Sequence, residues 1–274
     1  MGLRVNTNVA SLTAQRNLAN TTNQLARSLE RLSSGLRITR ASDDAAGLAI
    51  SERFRADVRS LTQAQRNASD AISMLQISEG ALNESSGILI RMRELAVQSA
   101  NGTLGTAERA TLDQEFQDLI EEIDRVAAVT EFNGTNPLND SALSITFQVG
   151  ANNSTNDRIA VTGVDATASG LSIDAEDITD VTNAQSAMDA VDAAIDTLTG
   201  LRADFGTAQN RIESTIRSIA VAVENTAAAE SRIRDVDVAS ETAILTRNQV
   251  LQQAGVSVLA QANVSSSIAL ALLQ

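Results

Sequence analysis

The sequence contains no lysine, histidine, cysteine, tryptophan or tyrosine among its 274 residues. Without thiol, imidazole or amine side chains, the chain lacks the usual nucleophiles, general bases and Schiff-base formers. Zinc, haem and iron–sulfur sites likewise lose their common ligands. Composition leaves only carboxylate chemistry open, such as paired-acid glycoside hydrolysis or a magnesium site. We therefore expect no catalytic, metal or cofactor site and no enzymatic activity.

Long apolar runs are also missing, and no stretch approaches the ~18 residues that cross a bilayer. We therefore expect no membrane span. The first residues lack both the charged and the apolar region of a cleavable signal peptide. If the protein leaves the cell, we expect it to use a route that needs no such signal.

Charge is unevenly distributed along the chain. All 21 basic residues are arginine, and 34 acidic residues give a net charge of −13, yet residues 1–66 are basic. A basic segment suggests nucleic-acid binding. These arginines, however, alternate with acidic and apolar residues without aromatic neighbours, and the acidic remainder would repel phosphates. We favour a basic-to-acidic contact between copies of the chain, and we expect no nucleic-acid partner.

Both ends of the chain are apolar. Residues 248–274 carry no charged side chain, and residues 5–15 are similar. Large exposed apolar patches are rare on monomeric proteins. Both termini are therefore expected to be buried in an assembly.

Apolar residues recur at helical spacing over most of the chain, and the single proline, Pro137, leaves long helices uninterrupted. Heptad positions are occupied in three segments: Leu18, Leu25 and Leu32; Leu61, Ala68, Leu75, Leu82, Leu89 and Ala96; Val191, Leu198, Phe205, Ile212 and Ile219. A further helix is predicted over 112–126, and the longest over 182–232, beginning with a capping box at 182–185. We interpret these stripes as packing surfaces and not as a cofactor-binding motif.

The periodicity changes to two between the third and fourth helices. Residues 142–149 alternate between apolar and small or polar side chains, which predicts a half-buried strand, and 159–161 is expected to pair back as a hairpin. Residues 163–180 are small, polar and acidic, and we expect an exposed connection there. The predicted fold is mainly α: a long antiparallel helical bundle or coiled coil with a small β-hairpin region, in which the terminal helices pair.

Several sequence blocks, in order along the chain, resemble those of bacterial flagellin, the subunit of the flagellar filament. They are NTNVA at 6–10, LERLSSGLRI at 29–38, ASDDAAGLAI at 41–50, RELAVQSAN at 93–101, SRIRD at 231–235, QQAG at 252–255 and LAQAN at 259–263. The blocks lie within residues 1–137 and 181–274. Only a short segment lies between them, so the chain resembles a minimal flagellin without outer variable domains.

The resemblance implies two domains. The terminal segments 1–45 and 235–274 would form an inner helical domain at the core of the filament, and 46–234 an outer rod domain of three helices plus a hairpin region at about 138–180. Subunits would polymerise head-to-tail into an extracellular filament used for swimming. We expect the contacts at the filament core to use apolar side chains of both ends: Val5, Val9, Leu12, Leu18, Leu25, Leu29, Leu32, Leu251, Val258, Leu259, Ile268, Leu270, Leu272 and Leu273.

Further partners follow only from the resemblance. They are a flagellar export chaperone, the export apparatus, the filament cap and the hook-associated junction proteins. A host toll-like receptor that senses flagellin would contact positions that match Arg91, Leu95 and Glu115. Arg91 and Glu115 could equally be a solvated charged pair between two helices.

Two alternatives stay open at this point. A hook–filament junction protein or a minor flagellin would share the termini. Some flagellins carry catalytic inserts, but residues 138–180 are too short for one and contain no histidine.

Overall fold

A computed structural model of the chain describes residues 7–271, with side chains described over 7–264. Across that range it is mainly helical, with one two-stranded antiparallel sheet, as predicted. The helices are α1 (Val9–Ser34), α2 (Ala45–Ser99), α3 (Thr106–Val129), α4 (Val181–Arg234) and α5 (Val238–Ala271), and the strands are β1 (Ser144–Gln148) and β2 (Arg158–Thr162). No helix in this part of the chain has the length and hydrophobicity to cross a membrane.

The chain divides into two compact units. The terminal unit combines the N-terminal part up to Ala56 with the C-terminal part from Asn225, and the central unit is Asp57–Glu224. The boundaries predicted at 45/46 and 234/235 lie at helix ends, since α2 begins at Ala45 and α4 ends at Arg234.

In the terminal unit, α1 and α5 pack antiparallel along a seam. The least exposed positions of each helix recur at alternating spacings of three and four residues, which is the heptad pattern of a two-stranded coiled coil. The seam positions are Ser11, Ala14, Leu18, Thr21, Leu25, Ser28 and Leu32 on α1, and Glu241, Leu245, Asn248, Gln252, Gly255, Leu259 and Ala262 on α5.

The connections at one end of this helix pair also contact each other. The Arg37 backbone amide donates to the Arg234 carbonyl at 2.6 Å, and the Val236 amide donates to the Gly35 carbonyl at 3.0 Å. The Arg37 guanidinium donates from Nη2 to the Ile233 carbonyl at 2.6 Å. These bonds join the segment after α1 to the segment before α5.

The central unit has one continuous buried core. The predicted heptad stripes of α2 and α4 supply much of it, because Leu75, Leu82, Leu89, Leu198 and Ile212 are all at most 1% exposed. From α3, Phe116 and Ile123 are fully buried. The hairpin pairs from Ser144 opposite Thr162 to Gln148 opposite Arg158, and its turn over residues 150–157 is mostly exposed.

The segment 163–180, predicted to be an exposed connection, is packed against the core. Six of its apolar residues are buried: Val164, Ala166, Ala168, Leu171, Ile173 and Ile178. Three α3 side chains bind its backbone. Asp113 accepts from the Ile178 amide at 2.9 Å, Asp124 accepts from the Ala168 amide at 2.7 Å, and Gln117 donates to the Glu176 carbonyl at 2.9 Å. The prediction was wrong because these backbone groups are satisfied by side chains and not by water.

The start of α4 also differs from the prediction. Asp180 caps the helix, since its Oδ1 accepts from the Thr182 amide at 2.7 Å and from the Asn183 amide at 2.8 Å. The cap therefore lies two residues before the predicted capping box, and the same preference for a short oxygen-bearing side chain explains both assignments.

Candidate assembly surface

The seam between α1 and α5 is unusually polar for a helix pair. Ser11, Ser28, Glu241 and Asn248 are buried in it, although heptad seams are normally filled by branched apolar side chains. Asn248 and Glu241 lie on α5 within its first turns. Because polar residues occupy part of the seam, many of the apolar side chains of α1 and α5 lie outside it.

Polar contacts fix how the two helices align. The Asn8 side chain donates from Nδ2 to the Ala262 carbonyl at 2.9 Å, and the Ser11 hydroxyl donates to Asn263 Oδ1 at 2.9 Å. At the other end of the seam, Arg31 Nη1 lies 3.9 Å from Glu241 Oε2, and the Glu241 side chain is only 7% exposed. Asn8 also accepts from the Ser11 amide through Oδ1, which caps α1.

Outside the seam, large apolar side chains face solvent. On α1 they are Val9, Leu12 and Leu29, and on α5 they are Val238, Ile244, Val250, Leu251, Val256, Val258 and Val264. Ile244, Leu251 and Val258 follow each other at intervals of seven and therefore share one face, which we call the outer stripe. They are 36%, 49% and 57% exposed. The outer stripe has the spacing of a coiled-coil contact but no occupant within the described chain.

The structure separates the predicted assembly residues into two groups. Leu18, Leu25, Leu32 and Leu259 lie in the seam, whereas Val9, Leu12, Leu29, Leu251 and Val258 face outward. Val5, Leu272 and Leu273 lie outside the described residues, as do the side chains of Ile268 and Leu270. Sequence reasoning missed Ile244, whose spacing of seven from Leu251 was the available signal.

In the central unit, two of the predicted receptor residues form a charged pair at the surface and the third is buried. Arg91 donates to Glu115 Oε1 from Nε at 3.0 Å and from Nη2 at 2.8 Å, and from Nη1 to Glu94 Oε2 at 3.0 Å. The hydrogen bond with Glu115, followed by that with Glu94, raises the pKa of the Arg91 guanidinium. About half of the Arg91 and Glu115 side chains is exposed, but Leu95 is fully buried. The structure thus brings Arg91 and Glu115 together at the surface and places Leu95 in the core.

No group of three or more potential acidic metal ligands occurs within residues 7–271. The grooves beside the hairpin are shallow and mixed in character; one, of about 630 Å³, is bordered by Asp165, Phe205 and Arg211. The exposed outer faces of α1 and α5 are the more specific feature.

Comparison with known proteins gives matches at both ends of the chain. The family described as the bacterial flagellin N-terminal helical region matches residues 5–142, and the bacterial flagellin C-terminal helical region matches residues 188–273. The chain is 49% identical over 270 residues to a flagellin of Halalkalibacterium halodurans, covering 98% of this chain and 99% of that one. It is 40% identical over 306 residues to the flagellin of Bacillus subtilis, covering 99% and 100% of the two chains.

Solved structures agree with these matches. The crystal structure of Bacillus cereus flagellin superposes with a TM-score of 0.51 at 32% identity, covering 56% of this chain and 88% of that chain. A putative flagellar hook-associated protein from Vibrio parahaemolyticus shares the fold, with a TM-score of 0.58 at 13% identity over 70% of this chain and all of that one. The full-length relatives at 40% identity or more favour a filament subunit over a junction protein. Both flagellin regions and these relatives of matching length show that the chain belongs to the bacterial flagellin family.

Proposed function

We propose that this filament subunit joins its neighbours through the outward apolar faces of α1 and α5, and that the paired terminal helices form the inner layer of the filament. Membership of the flagellin family makes the chain a structural protein that assembles with copies of itself into an external flagellar filament. The proposal adds which surfaces make the contacts.

The outer stripe is the observation that carries this proposal. Its three side chains are large, apolar and exposed, and the chain that follows Asn248 has no charge to keep such a surface in water. Burying one such side chain contributes ~1.5–3 kcal/mol. A head-to-tail contact whose rotation does not close repeats this gain at every subunit of a helical polymer.

Substitution within the outer stripe tests the proposal. Leu251→Asp places a charge on the surface where we expect a neighbour, whereas Leu251→Met keeps its apolar character as a matched control. A loss of about 2 kcal/mol per contact would raise the critical concentration for seeded polymerisation roughly thirtyfold. Because Leu251 is already half-exposed, circular dichroism of the soluble chain should not change.

The measurement is sedimentation of seeded reactions together with electron microscopy of the pellet. Filaments from Leu251→Asp at the wild-type critical concentration would refute the proposed surface. Loss of filaments from Leu251→Met as well would mean that this position is sensitive to shape and not to burial of apolar area.

We also propose partners for export and for the filament ends. A flagellar export chaperone would cover the uncharged segment 248–274 before the unfolded chain enters the export apparatus, and the cap and hook-associated junction proteins would contact the same termini. The apolar, uncharged character of that segment supports this proposal. A chain that ends at Arg247 should fail to retain the chaperone in a pull-down, whereas the full chain should retain it.

A host toll-like receptor is a further proposed partner. Arg91 and Glu115 would contact it directly because both are exposed, and Leu95 would support them from the core. We further propose that the chain has no catalytic activity and binds no cofactor or nucleic acid, since its sequence contains no lysine, histidine or cysteine and has a net charge of −13.

A further inference from the structure

We infer that Glu241 and Gly255 help to select the register in which α1 and α5 pair, and that Glu241 disfavours the one-heptad shift that would place Leu25 opposite it. The inference rests on the proposed inner layer of paired terminal helices. Its test measures register, however, and not which face contacts a neighbour.

Apolar residues alone would not define this register. The seam of α1 presents Leu18, Leu25 and Leu32 at intervals of seven, so a slip of one heptad superposes each leucine on the position of the next. Coiled coils with such repeats rely on polar or small seam residues to select one alignment. The α5 seam contains both kinds, Glu241 and Gly255.

Gly255 provides a fitted site for one leucine. A Cβ built on Gly255 would lie 3.3 Å from Leu18 Cδ1 and 3.9 Å from Leu18 Cβ, so the helices approach closely at this point. Hydrogen bonds further along the pair agree with the same alignment, since Asn8 bonds to Ala262 and Ser11 to Asn263.

Glu241 contributes an electrostatic preference for the observed register. It is buried, and its only cation within 4 Å among the described residues is Arg31. A slip of one heptad in one direction places Leu25 opposite Glu241, and a slip in the other direction moves Glu241 beyond the end of α1 at Ser34. In both cases Arg31 no longer faces the carboxylate. A buried carboxylate without its cation is strongly unfavourable, so the slip that places Leu25 opposite Glu241 is disfavoured.

The absence of cysteine from the chain makes the register directly measurable by disulfide formation. In the observed register, Leu18→Cys/Gly255→Cys places two Cβ atoms at 3.9 Å, within the range of about 3.5–4.5 Å that a disulfide requires. Ser11→Cys/Gly255→Cys reports the slip that places Leu25 opposite Glu241, because the same shift brings residue 11 opposite residue 255. In the observed register these two positions are separated by a heptad, about 10 Å along the helix. Because both pairs carry cysteine at position 255, the comparison tests the contribution of Glu241 with the fitted site filled in the same way in each variant.

Each cysteine pair is oxidised in the soluble chain and in seeded filaments, and the cross-linked fraction is measured by gel mobility and peptide mapping. We expect the first pair to cross-link at least roughly tenfold more than the second, which corresponds to about 1.4 kcal/mol. Adding Glu241→Leu should reduce that ratio by roughly tenfold. Adding Arg247→Leu, which removes an exposed charge outside the seam, should leave the ratio unchanged.

Equal cross-linking of the two pairs would overturn the inference, as would a ratio that Glu241→Leu leaves unchanged. Absence of both cross-links in both states would show that the helices do not pair as described. Failure of the proposed contact through the outer stripe would be recognised separately. In that case Leu251→Asp would polymerise normally, while the cross-linking ratio would keep its expected value.

Discussion

Arg109 of α3 donates from Nε to the carbonyl of Ser99, the last residue of α2, at 2.8 Å, and from Nη2 to the Asn101 carbonyl at 2.7 Å. The arginine is 7% exposed. One side chain thus satisfies the Ser99 carbonyl, which the end of α2 leaves without a helical partner, and gives the Asn101 carbonyl a second donor beside the Leu104 amide. It also positions the beginning of α3 against that end.

Arg109→Ala is expected to lower the free energy of unfolding by about 2–4 kcal/mol, because it leaves the buried Ser99 carbonyl without its charged donor. Arg125→Ala is the matched control. Arg125 forms an exposed pair with Glu122 one turn away, and such pairs contribute ~0–1 kcal/mol. Urea titrations followed by circular dichroism compare the two variants. Equal midpoints would show that the buried bonds make no special contribution.

The packed segment 163–180 gives a second prediction. Ile173→Ala removes a fully buried side chain and should cost about 2–4 kcal/mol of unfolding free energy, whereas Asp174→Ala changes its exposed neighbour and should cost less than about 0.5 kcal/mol. Limited proteolysis provides an independent reading, with cleavage in this segment accelerated only in the first variant. If neither substitution altered stability or cleavage, the segment would be an exposed connection after all.

Acid stability should depend partly on Asp177. Hydrogen bonds from the Thr179 hydroxyl, the Asn183 side chain and the Thr179 amide hold the pKa of Asp177 below its ordinary value. A carboxylate with a lowered pKa in the folded state stabilises the protein above its unfolded pKa of about 3.9, and that stability is lost as the pH falls through the folded value. Melting temperatures measured from pH 6 downward should therefore fall less steeply for Asp177→Asn than for the wild type. Parallel curves would contradict this role.

Recognition by the host receptor gives a fourth prediction. The double charge swap Arg91→Glu/Glu115→Arg retains the ion pair between α2 and α3 but loses the exposed pair of Arg91 with Glu94, so the fold should be preserved and the stability lowered by no more than about 1 kcal/mol. It inverts the charge pattern that the receptor would meet, and reporter cells should need roughly tenfold more soluble protein for the same response. An unchanged dose–response curve would remove these two residues from the proposed receptor surface.

Sequence periodicity predicted the helices well because their core positions are apolar and regularly spaced. The stripe from Leu75 through Leu89 on α2 and the stripe from Val191 to Ile212 on α4 are buried as predicted. The hairpin was predictable for the same reason, since its strands alternate between apolar and polar residues.

The errors occurred where backbone groups are satisfied by distant side chains. Nothing local in residues 163–180 indicates that Asp113 and Asp124 bind their amides, 65 and 44 residues away. The polar seam was equally hidden, because Ser11, Glu241 and Asn248 resemble surface residues until the partner helix is placed against them. The burial of Leu95 could not be read from its residue type, since leucine occupies the outer stripe as well as the core.

The attachment of residues 163–180 to α3 has a consequence for inserting foreign sequences into this protein. Foreign peptides inserted there would detach a segment on which the core depends. The neighbouring hairpin turn is the better acceptor, because residues 152–156 are exposed and its stabilising bonds, such as that from Ser154 to Asp157 at 2.6 Å, remain local. Epitopes or enzymes displayed on this protein should therefore be fused between Asn152 and Asn153, where the scaffold has the least packing to lose.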